Sequence, residues 1–331
     1  MLKRNLGSDG PEISALGVGG MSFSDFYGPV TEDQSHAILD AAVDAGVTHV
    51  DTSNIYGMGR SEQAIGTWLA KRGGPSPFLI ATKAGITTDA TGQRCFDNSP
   101  EHLESELDAS LSRLGVDRVD LFYVHRRDQR IPIEEVVESL VALQQKGKIA
   151  AFGFSEISPA SLRRAARVAP VAAVQSEYSL QTRLPELGLI QTCEALGTTL
   201  VAFSSVGRGL LTDRPPQPGK FDDNPFMSSN PRFAPGNLER NLQASAGFRD
   251  LAAEVGVPAA ALAIAWVLGQ SRSIVTIPGT RSCAHFAELV QGAESLMDPE
   301  LILEIERRLP VGWCHGDRYS VAQSNGPEGY C

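Results

Sequence analysis

Residues 119–154 read VDLFYVHRRDQRIPIEEVVESLVALQQKGKIAAFGF. The short apolar runs at 119–124 and 149–154 are typical of parallel strands that are buried on both faces. Between them, apolar residues recur at helical spacing from 134 to 146. The segment therefore predicts one complete strand–helix–strand unit, which usually spans about 30 residues.

Comparable apolar runs occur along the whole chain. Eight strands are predicted, at 15–19, 48–51, 78–82, 119–124, 149–154, 172–175, 199–203 and 274–277. Helix starts are marked by Thr31 with Gln34 and by Ser99 with Pro100, which are capping patterns. Eightfold strand–helix alternation predicts an α/β fold, either a closed barrel or a doubly wound open sheet. The 331 residues suffice for one barrel domain over residues 1–331.

The segments outside this alternation have different characters. Asp9-Gly10 within residues 3–13 predicts an N-terminal β-hairpin that would plug the bottom of a barrel. Long loops follow the third strand (84–98) and the seventh (204–236), where length usually indicates function. The chain after Pro310 has the pattern of an irregular tail, and its Trp313 could either close a substrate mouth or pack on the barrel.

Composition narrows the classes of partner. The net charge of −10 favours solubility and repels nucleic acid. The five cysteines, Cys331 among them, are scattered and odd in number, which argues against a disulfide framework or a zinc site. No signal peptide and no membrane-spanning stretch of about 20 apolar residues is apparent, so we expect a cytoplasmic protein without a metal.

Four polar residues come at or just after the carboxyl ends of three predicted strands. Asp51 ends the second strand, Tyr56 follows in the next loop, and Lys83 and His125 follow the third and fourth strands. Catalytic groups of barrel enzymes lie at this rim. Tyr56 could donate a proton, with Lys83 lowering its pKa and His125 orienting a carbonyl oxygen. Taken singly, these residues could equally be a helix cap, loop packing, a salt bridge and a core histidine.

The chain resembles the aldo-keto reductase family over nearly its whole length. The motifs that carry the resemblance are DTSNIYG (51–57) with Ser61-Glu62, Lys83, DLFYVH (120–125), GKI (147–149), GFSE (153–156), VQSEY (174–178), FSSVGRGLL (203–211) and IPGTR (277–281). The resemblance implies a (β/α)8 TIM barrel with long loops at its C-terminal rim. It also implies a catalytic set of Asp51, Tyr56, Lys83 and His125, and a nicotinamide cofactor.

The resemblance further implies which residues bind the cofactor. They are Ser155, Glu156 and Gln175 at the carboxamide, Phe203 on the nicotinamide ring, Ser204, Gly207, Arg208 and Leu210 at the pyrophosphate, Gly279, Thr280, Arg281, His285 and Glu288 at the adenosine, and additionally Gly20 and Met21. Two positions depart from the family pattern. His285 stands where Arg, Gln or Lys is common, and Leu289 stands where Asn is common.

These observations predict a reductase that converts an aldehyde or ketone to an alcohol. NADPH is the expected cofactor because Arg281 can pair with a 2′-phosphate, and NADH is the alternative. One rival function is a cofactor-binding sensor subunit of a potassium channel. Another is an aldolase that uses Lys83 as a Schiff base. Arg126 and Arg127 could bind an anionic substrate, or could be solvated charges or ion-pair partners.

Overall fold

A computed structural model describes residues 1–295 and 297–330. Eight parallel strands form one sheet in the spatial order of the sequence. The strands, labelled together with two hairpins, are β1 (Lys3–Asn5), β2 (Glu12–Ser14), β3 (Val18–Gly19), β4 (His49–Asp51), β5 (Leu79–Ala84), β6 (Ile86–Thr88), β7 (Arg94–Phe96), β8 (Val119–Val124), β9 (Ile149–Ser155), β10 (Ala173–Glu177), β11 (Thr199–Phe203) and β12 (Ile274–Thr276). The first pair β1–β2 and the pair β6–β7 are antiparallel and lie outside this sheet.

The sheet closes on itself between its first and last strands. Thr276 donates its N–H to the carbonyl oxygen of Ala15 at 2.8 Å, and Gly17 donates to the carbonyl oxygen of Thr276 at 2.8 Å. Backbones approach closely here, since a side chain at Gly19 would lie 2.4 Å from the carbonyl oxygen of Ile277. The fold is therefore the expected (β/α)8 barrel, and the open-sheet alternative is wrong.

The N-terminal hairpin fills the lower end of the barrel, as predicted. Leu6 and Ile13 are buried among inward-facing side chains of the barrel strands, including Leu121 and Val201. The turn is not a tight Asp-Gly turn, however. Six residues separate β1 from β2, and the left-handed backbone conformation belongs to Gly7 (φ +76°).

The longer helices surround the sheet and bury their apolar faces against it, whereas two four-residue helices lie in the loop at 204–236 and in the tail. The helices are α1 (Glu32–Asp44), α2 (Arg60–Arg72), α3 (Pro100–Leu114), α4 (Ile133–Gln145), α5 (Pro159–Ala166), α6 (Leu189–Leu196), α7 (Pro225–Ser228), α8 (Asn237–Ala244), α9 (Ala246–Val255), α10 (Ala259–Gly269), α11 (Cys283–Glu294), α12 (Pro299–Arg308) and α13 (Val321–Ser324). Thr31 and Gln34 form the predicted capping box, and Ser99 caps α3 with Pro100 in its first turn.

Within residues 1–295 and 297–330, no single helix has both the length and the apolar character of a membrane span. The segments Asn237–Val255 and Ala259–Gly269 have the required length and apolar character only when they are counted together, and the chain bends by 95° between them. Nearly every side chain of α10 is buried in the protein core.

The rim at the carboxyl ends of the strands is built from ordered segments. The loop at 84–98 holds the β6–β7 hairpin, and the loop at 204–236 contains α7 and short 3₁₀ turns. The tail packs across the same end of the barrel. Its Trp313 is buried and donates to the carbonyl oxygen of Leu180 at 2.8 Å, so it packs on the barrel. Tyr319 and Gln323, in contrast, line the mouth.

Candidate active site

The four polar residues predicted at the rim converge at one end of the barrel. Asp51 is the last residue of β4, Lys83 lies near the end of β5, and His125 directly follows β8. Parallel registration brings them together, because Asp51 lies beside Ala81 and Lys83 lies beside Tyr123. The strands β4, β5 and β8 thus each place one polar side chain at the same rim.

Lys83 is the centre of the hydrogen-bond network at this rim. Its side chain is fully buried, and Nζ donates to a carboxylate oxygen of Asp51, to the carbonyl oxygen of Thr52 at 2.8 Å and to the hydroxyl of Tyr56 at 3.2 Å. Burial opposes the ammonium form, but the charges of Asp51 and Tyr56 prevail and raise the pKa of Lys83. Lys83 is fully buried and its ammonium already donates to three oxygens, so the network favours a charged lysine over the free amine that a Schiff-base aldolase requires.

Asp51 is held on both of its carboxylate oxygens. One oxygen accepts from Lys83, and the other accepts from the side-chain amide of Gln175 at 2.8 Å. Burial raises the pKa of Asp51, and the ammonium of Lys83 opposes that shift. The aspartate therefore fixes the positions of Lys83 and Gln175.

Tyr56 lines the cleft together with Asp51 and His125, and it is the member of this set whose hydroxyl contacts the Lys83 ammonium. The residue is 8% exposed, and its hydroxyl accepts a hydrogen bond from Lys83. Burial raises the pKa of Tyr56, and the charge of Lys83 only partly offsets that rise. Lys83 thus acts on this pKa in the expected direction, by its charge and by its hydrogen bond, but desolvation of the phenolate outweighs it, so the net shift is upward.

His125 lies edge-on to Tyr56, with ring centroids 5.9 Å apart. Its Nδ1 lies 3.1 Å from the hydroxyl oxygen of Ser53. Burial, together with the charges of Arg126 and Lys83, holds the pKa of His125 well below its usual range. The imidazole is therefore neutral near pH 7, and its protonation on one nitrogen can be set by Ser53.

A cleft of about 1080 Å³ opens above these residues. Ligand sites for small molecules usually measure about 300–1,000 Å³, so this cleft can hold an extended ligand together with a second one. Of the residues predicted to bind cofactor, its wall contains Met21, Ser155, Gln175, Phe203, Ser204, Arg208, Gly279, Thr280, Arg281, His285 and Glu288.

Four predicted cofactor residues are not part of the cleft wall. Gly20 is buried against Ser61, and Gly207 is a buried residue within the loop that follows β11. Leu210 packs in a small apolar cluster, where it is fully buried. Glu156 accepts from Arg318 and from the N–H of Glu177, so its carboxylate is turned away from the cleft.

The loop after β11 has an unusual backbone. Ser204 (φ +56°) and Arg208 (φ +53°) are non-glycine residues in the left-handed region, which costs about 1–3 kcal/mol each. Such strain persists where surrounding contacts fix it and is concentrated at ligand-binding sites. Both residues line the cleft.

The far end of the cleft lies at the start of α11. Arg281 donates to the carbonyl oxygen of Pro29 at 2.8 Å, and His285 is exposed one turn into the helix. Leu289 is buried and lines the same end. This end therefore combines an arginine, a helix N-terminus and one apolar surface.

Several residues of the cleft wall were not anticipated from the sequence. Phe26, Tyr27 and Phe226 form an aromatic group, with the rings of Phe26 and Phe226 5.0 Å apart and edge-on. Arg94 from β7 and Tyr319 from the tail also line the wall. No spacing rule connects these segments. Arg94 and Phe226 lie in the two long loops for which the sequence predicted a function and Tyr319 lies in the tail, whereas nothing in the sequence indicated Phe26 and Tyr27.

Arg126 and Arg127 are both buried, so the interpretation as solvated charges is wrong. Arg127 lies 3.5 Å from the carboxylate of Glu328 and donates to the carbonyl oxygen of Ile131 at 2.9 Å. Arg126 lines the cleft instead. The two neighbours thus differ, because Arg127 contacts the tail through Glu328 and Arg126 lines the cleft.

Comparisons with known proteins agree with this geometry. The model of the aldo/keto reductase family matches residues 15–308. The aldo-keto reductase yakc of Schizosaccharomyces pombe, whose name specifies NADP(+), is 35% identical over 320 residues, covering 96% of this chain and 94% of the relative. The aldo-keto reductase str7 of Strobilurus tenacellus is 36% identical over 315 residues, covering 92% of each.

Solved structures give the same result. A glycerol dehydrogenase from Gluconobacter oxydans superposes with a TM-score of 0.81 at 28% identity, covering 93% of this chain and 96% of that one. The holo form of an aldo-keto reductase from Bacillus halodurans gives a TM-score of 0.77 at 25% identity, covering 94% and 97%.

Proposed function

The chain belongs to the aldo-keto reductase family, and we propose that it reduces an aldehyde or ketone to the alcohol with Tyr56 as proton donor and NADPH as cofactor. One observation carries the proposal. Tyr56 lines the cleft, and its hydroxyl accepts a hydrogen bond at 3.2 Å from Lys83 Nζ, which also donates to Asp51. A phenol in this setting can lose its proton to a developing alkoxide while the lysine stabilises the phenolate.

NADPH, when bound, supplies the hydride that the carbonyl carbon receives. The residues of the chain perform the rest. If Ser53 donates to Nδ1 of His125, then Nε2 carries the proton and can donate to the carbonyl oxygen beside Tyr56. Two donors then converge on the oxygen where negative charge develops, which stabilises the transition state more than the ground state.

The residues of the cleft fit a dinucleotide. Gln175 and Ser155 present an amide and a hydroxyl beside Asp51 and Tyr56, as a carboxamide requires. Phe203 offers an aromatic face, and the strained loop carrying Ser204 and Arg208 offers backbone N–H groups and a guanidinium for phosphates. The relative yakc bears NADP(+) in its name, which favours the phosphorylated cofactor.

A panel of aldehydes and ketones tests the proposed function. The purified protein is mixed with each carbonyl compound, and the consumption of NADPH and NADH is followed by absorbance. We expect turnover with NADPH for at least one compound. Tight retention of NADPH with negligible turnover of every compound would instead support the sensor-subunit hypothesis.

Arg281→Ala is expected to weaken NADPH binding by about 1–3 kcal/mol, the usual size of a hydrogen bond to a charged group. The guanidinium can pair with the 2′-phosphate in a fixed fork, whereas NADH has no such phosphate. NADH binding is therefore expected to change little. Fluorescence titrations of both cofactors measure the difference, with Arg240→Ala on the exposed face of α8 as the control. Equal weakening of both cofactors, or of neither, would refute this role of Arg281.

His125→Gln is expected to lower kcat by about 10- to 100-fold. This is less than the 10²–10³-fold typical when an oxyanion donor is removed, because the glutamine amide can still donate. Steady-state kinetics across the carbonyl panel measure the loss. His36→Gln serves as the control, since His36 is also buried but bonds the carbonyl oxygen of Ala64 away from the cleft. Unchanged kinetics in His125→Gln would remove this residue from the reaction.

A further inference from the structure

Arg126 carries a buried positive charge that only neutral groups contact. Its side chain is 7% exposed, and one terminal nitrogen donates to the carbonyl oxygen of His125 at 2.6 Å and to the hydroxyl of Ser155 at 3.1 Å. The other terminal nitrogen donates to the hydroxyl of Tyr319 at 3.3 Å. Among the described residues, Nε has no partner. Burying an uncompensated guanidinium is costly, so a site of this kind is suited to receive an anion.

Arg94 brings a second positive charge to the same wall of the cleft. It lies on β7, with its guanidinium over the ring of Phe96 at 5.0 Å, and it lines the cleft together with Arg126. Arg94 is exposed at the mouth of the cleft, and desolvation together with the nearby charge of Arg126 lowers the pKa of its guanidinium. In residues 1–295 and 297–330, neither arginine lies within ion-pair distance of a carboxylate.

Two other arginines of the cleft wall have acidic partners, whereas the exposed Arg214, and Arg281 at the start of α11, also lack one among the described residues. Arg113 pairs with Glu62 at 2.6 Å, and Arg208 lies 3.9 Å from Glu177. Of the acidic residues in the cleft wall, Asp51 is bonded to Lys83, Glu106 and Asp213 have partners of their own, and Glu288 lies on α11 at the far end of the cleft. Glu106 accepts from Asn54 at 2.7 Å, and Asp213 accepts from the N–H at the start of α10.

We infer that the substrate is an aldehyde or ketone bearing a carboxylate or phosphate group, which Arg94 and Arg126 bind while the carbonyl oxygen faces Tyr56 and His125. The inference rests on the proposed function and specifies its substrate class. A guanidinium pairs with carboxylate and phosphate oxygens in a fixed fork, and it does so most strongly where water is excluded.

The position of these arginines indicates that the anion belongs to the substrate. Arg126 follows His125 in the chain and contacts Ser155, which we propose binds the uncharged carboxamide end of the cofactor. The cofactor's phosphates are proposed to bind at Arg208 and Arg281. The charge of Arg126 is therefore left for a second ligand at the reacting end.

The test compares two substrates that differ mainly in charge. 4-Carboxybenzaldehyde and methyl 4-formylbenzoate share an aromatic ring, which suits the wall formed by Phe26 and Phe226. We expect the wild-type protein to favour the acid by about tenfold or more in kcat/KM, the size of one charged hydrogen bond. Arg94→Gln and Arg126→Gln are each expected to remove that preference by slowing the acid, and in Arg94→Gln the ester is expected to stay unchanged within about twofold.

Controls separate the charge from other effects. Arg130→Gln is the matched control, because Arg130 is 80% exposed, pairs with Asp128 and does not line the cleft. Arg126→Gln could also disturb Ser155 and thereby the cofactor, so NADPH affinity is measured for each variant. Arg94→Gln touches neither Ser155 nor the catalytic residues and keeps the test decisive. The rates with pyridoxal phosphate and with pyridoxal are compared in the same variants to test a phosphate group. The substrate pair whose preference for the charged compound depends more on the two arginines identifies the anion as carboxylate or phosphate.

Binding of benzoate provides a readout that does not need turnover. Calorimetry with and without NADPH is expected to show benzoate binding that weakens at least about fivefold in both arginine variants. An acid and ester reduced equally well by wild type and variants would overturn the anion site while leaving the reductase intact. Benzoate binding that depends on Arg94 and Arg126 without reduction of any aldehyde would instead refute the reductase and retain the anion site.

Discussion

Tyr56→Phe is expected to lower kcat for carbonyl reduction by about 10²–10⁴-fold, the usual contribution of a positioned general acid. The substitution removes only the hydroxyl that Lys83 contacts at 3.2 Å. The aromatic ring remains, and with it the edge-on packing against Phe26 at 6.2 Å and His125 at 5.9 Å. NADPH affinity and the melting temperature are therefore expected to stay close to those of the wild type.

Steady-state kinetics and a fluorescence titration of NADPH measure these two quantities. Tyr178→Phe is a matched control, because Tyr178 is also fully buried and donates its hydroxyl to Glu186 at 2.8 Å outside the cleft. That control is expected to keep its activity. If Tyr56→Phe retained more than about a tenth of the wild-type rate, another group would have to donate the proton.

The barrel and its catalytic rim could be predicted because both follow from local patterns. Apolar runs of strand length recur along the chain, and each of β4, β5 and β8 ends in or next to one polar residue. Parallel strands bring their carboxyl ends to one rim, so the residues that meet there can be identified without knowing any tertiary contact. Asp51 and His125 are 74 positions apart in the sequence, and this rule predicted that they lie at the same rim.

The rest depends on contacts that no local pattern encodes. Tyr319 reaches Arg126 across 193 residues, and it does so from a tail without periodicity. The direction of the Tyr56 pKa shift also could not be derived from neighbours in sequence, because the degree of burial decides it. Similarly, the identical residues Arg126 and Arg127 differ in role only because Glu328 reaches one of them and not the other.

Lys83→Met is expected to lower kcat about as much as Tyr56→Phe, by about 10²–10⁴-fold, because the phenolate loses the cation that stabilises it. Asp51→Asn is expected to cost less, since aspartate acts only by positioning Lys83.

Loss of activity in Lys83→Met must be separated from loss of folding, because the lysine is fully buried against Asp51. Removing one partner of a buried ion pair usually destabilises a protein by about 3–5 kcal/mol, because the other charge stays buried. The Asp51→Asn/Lys83→Met double variant removes both charges, so it should recover most of that stability. It should not recover activity, since the phenolate still lacks its cation.

Lys83→Met alone should also gain stability as the pH falls from about 7 to about 5, because a proton on Asp51 then neutralises the unpaired charge. The free energy of unfolding is measured by denaturant at both pH values, and kcat is measured, for Lys83→Met, Asp51→Asn and the double variant. A double variant that regained both stability and activity would show that Lys83 and Asp51 serve only the fold.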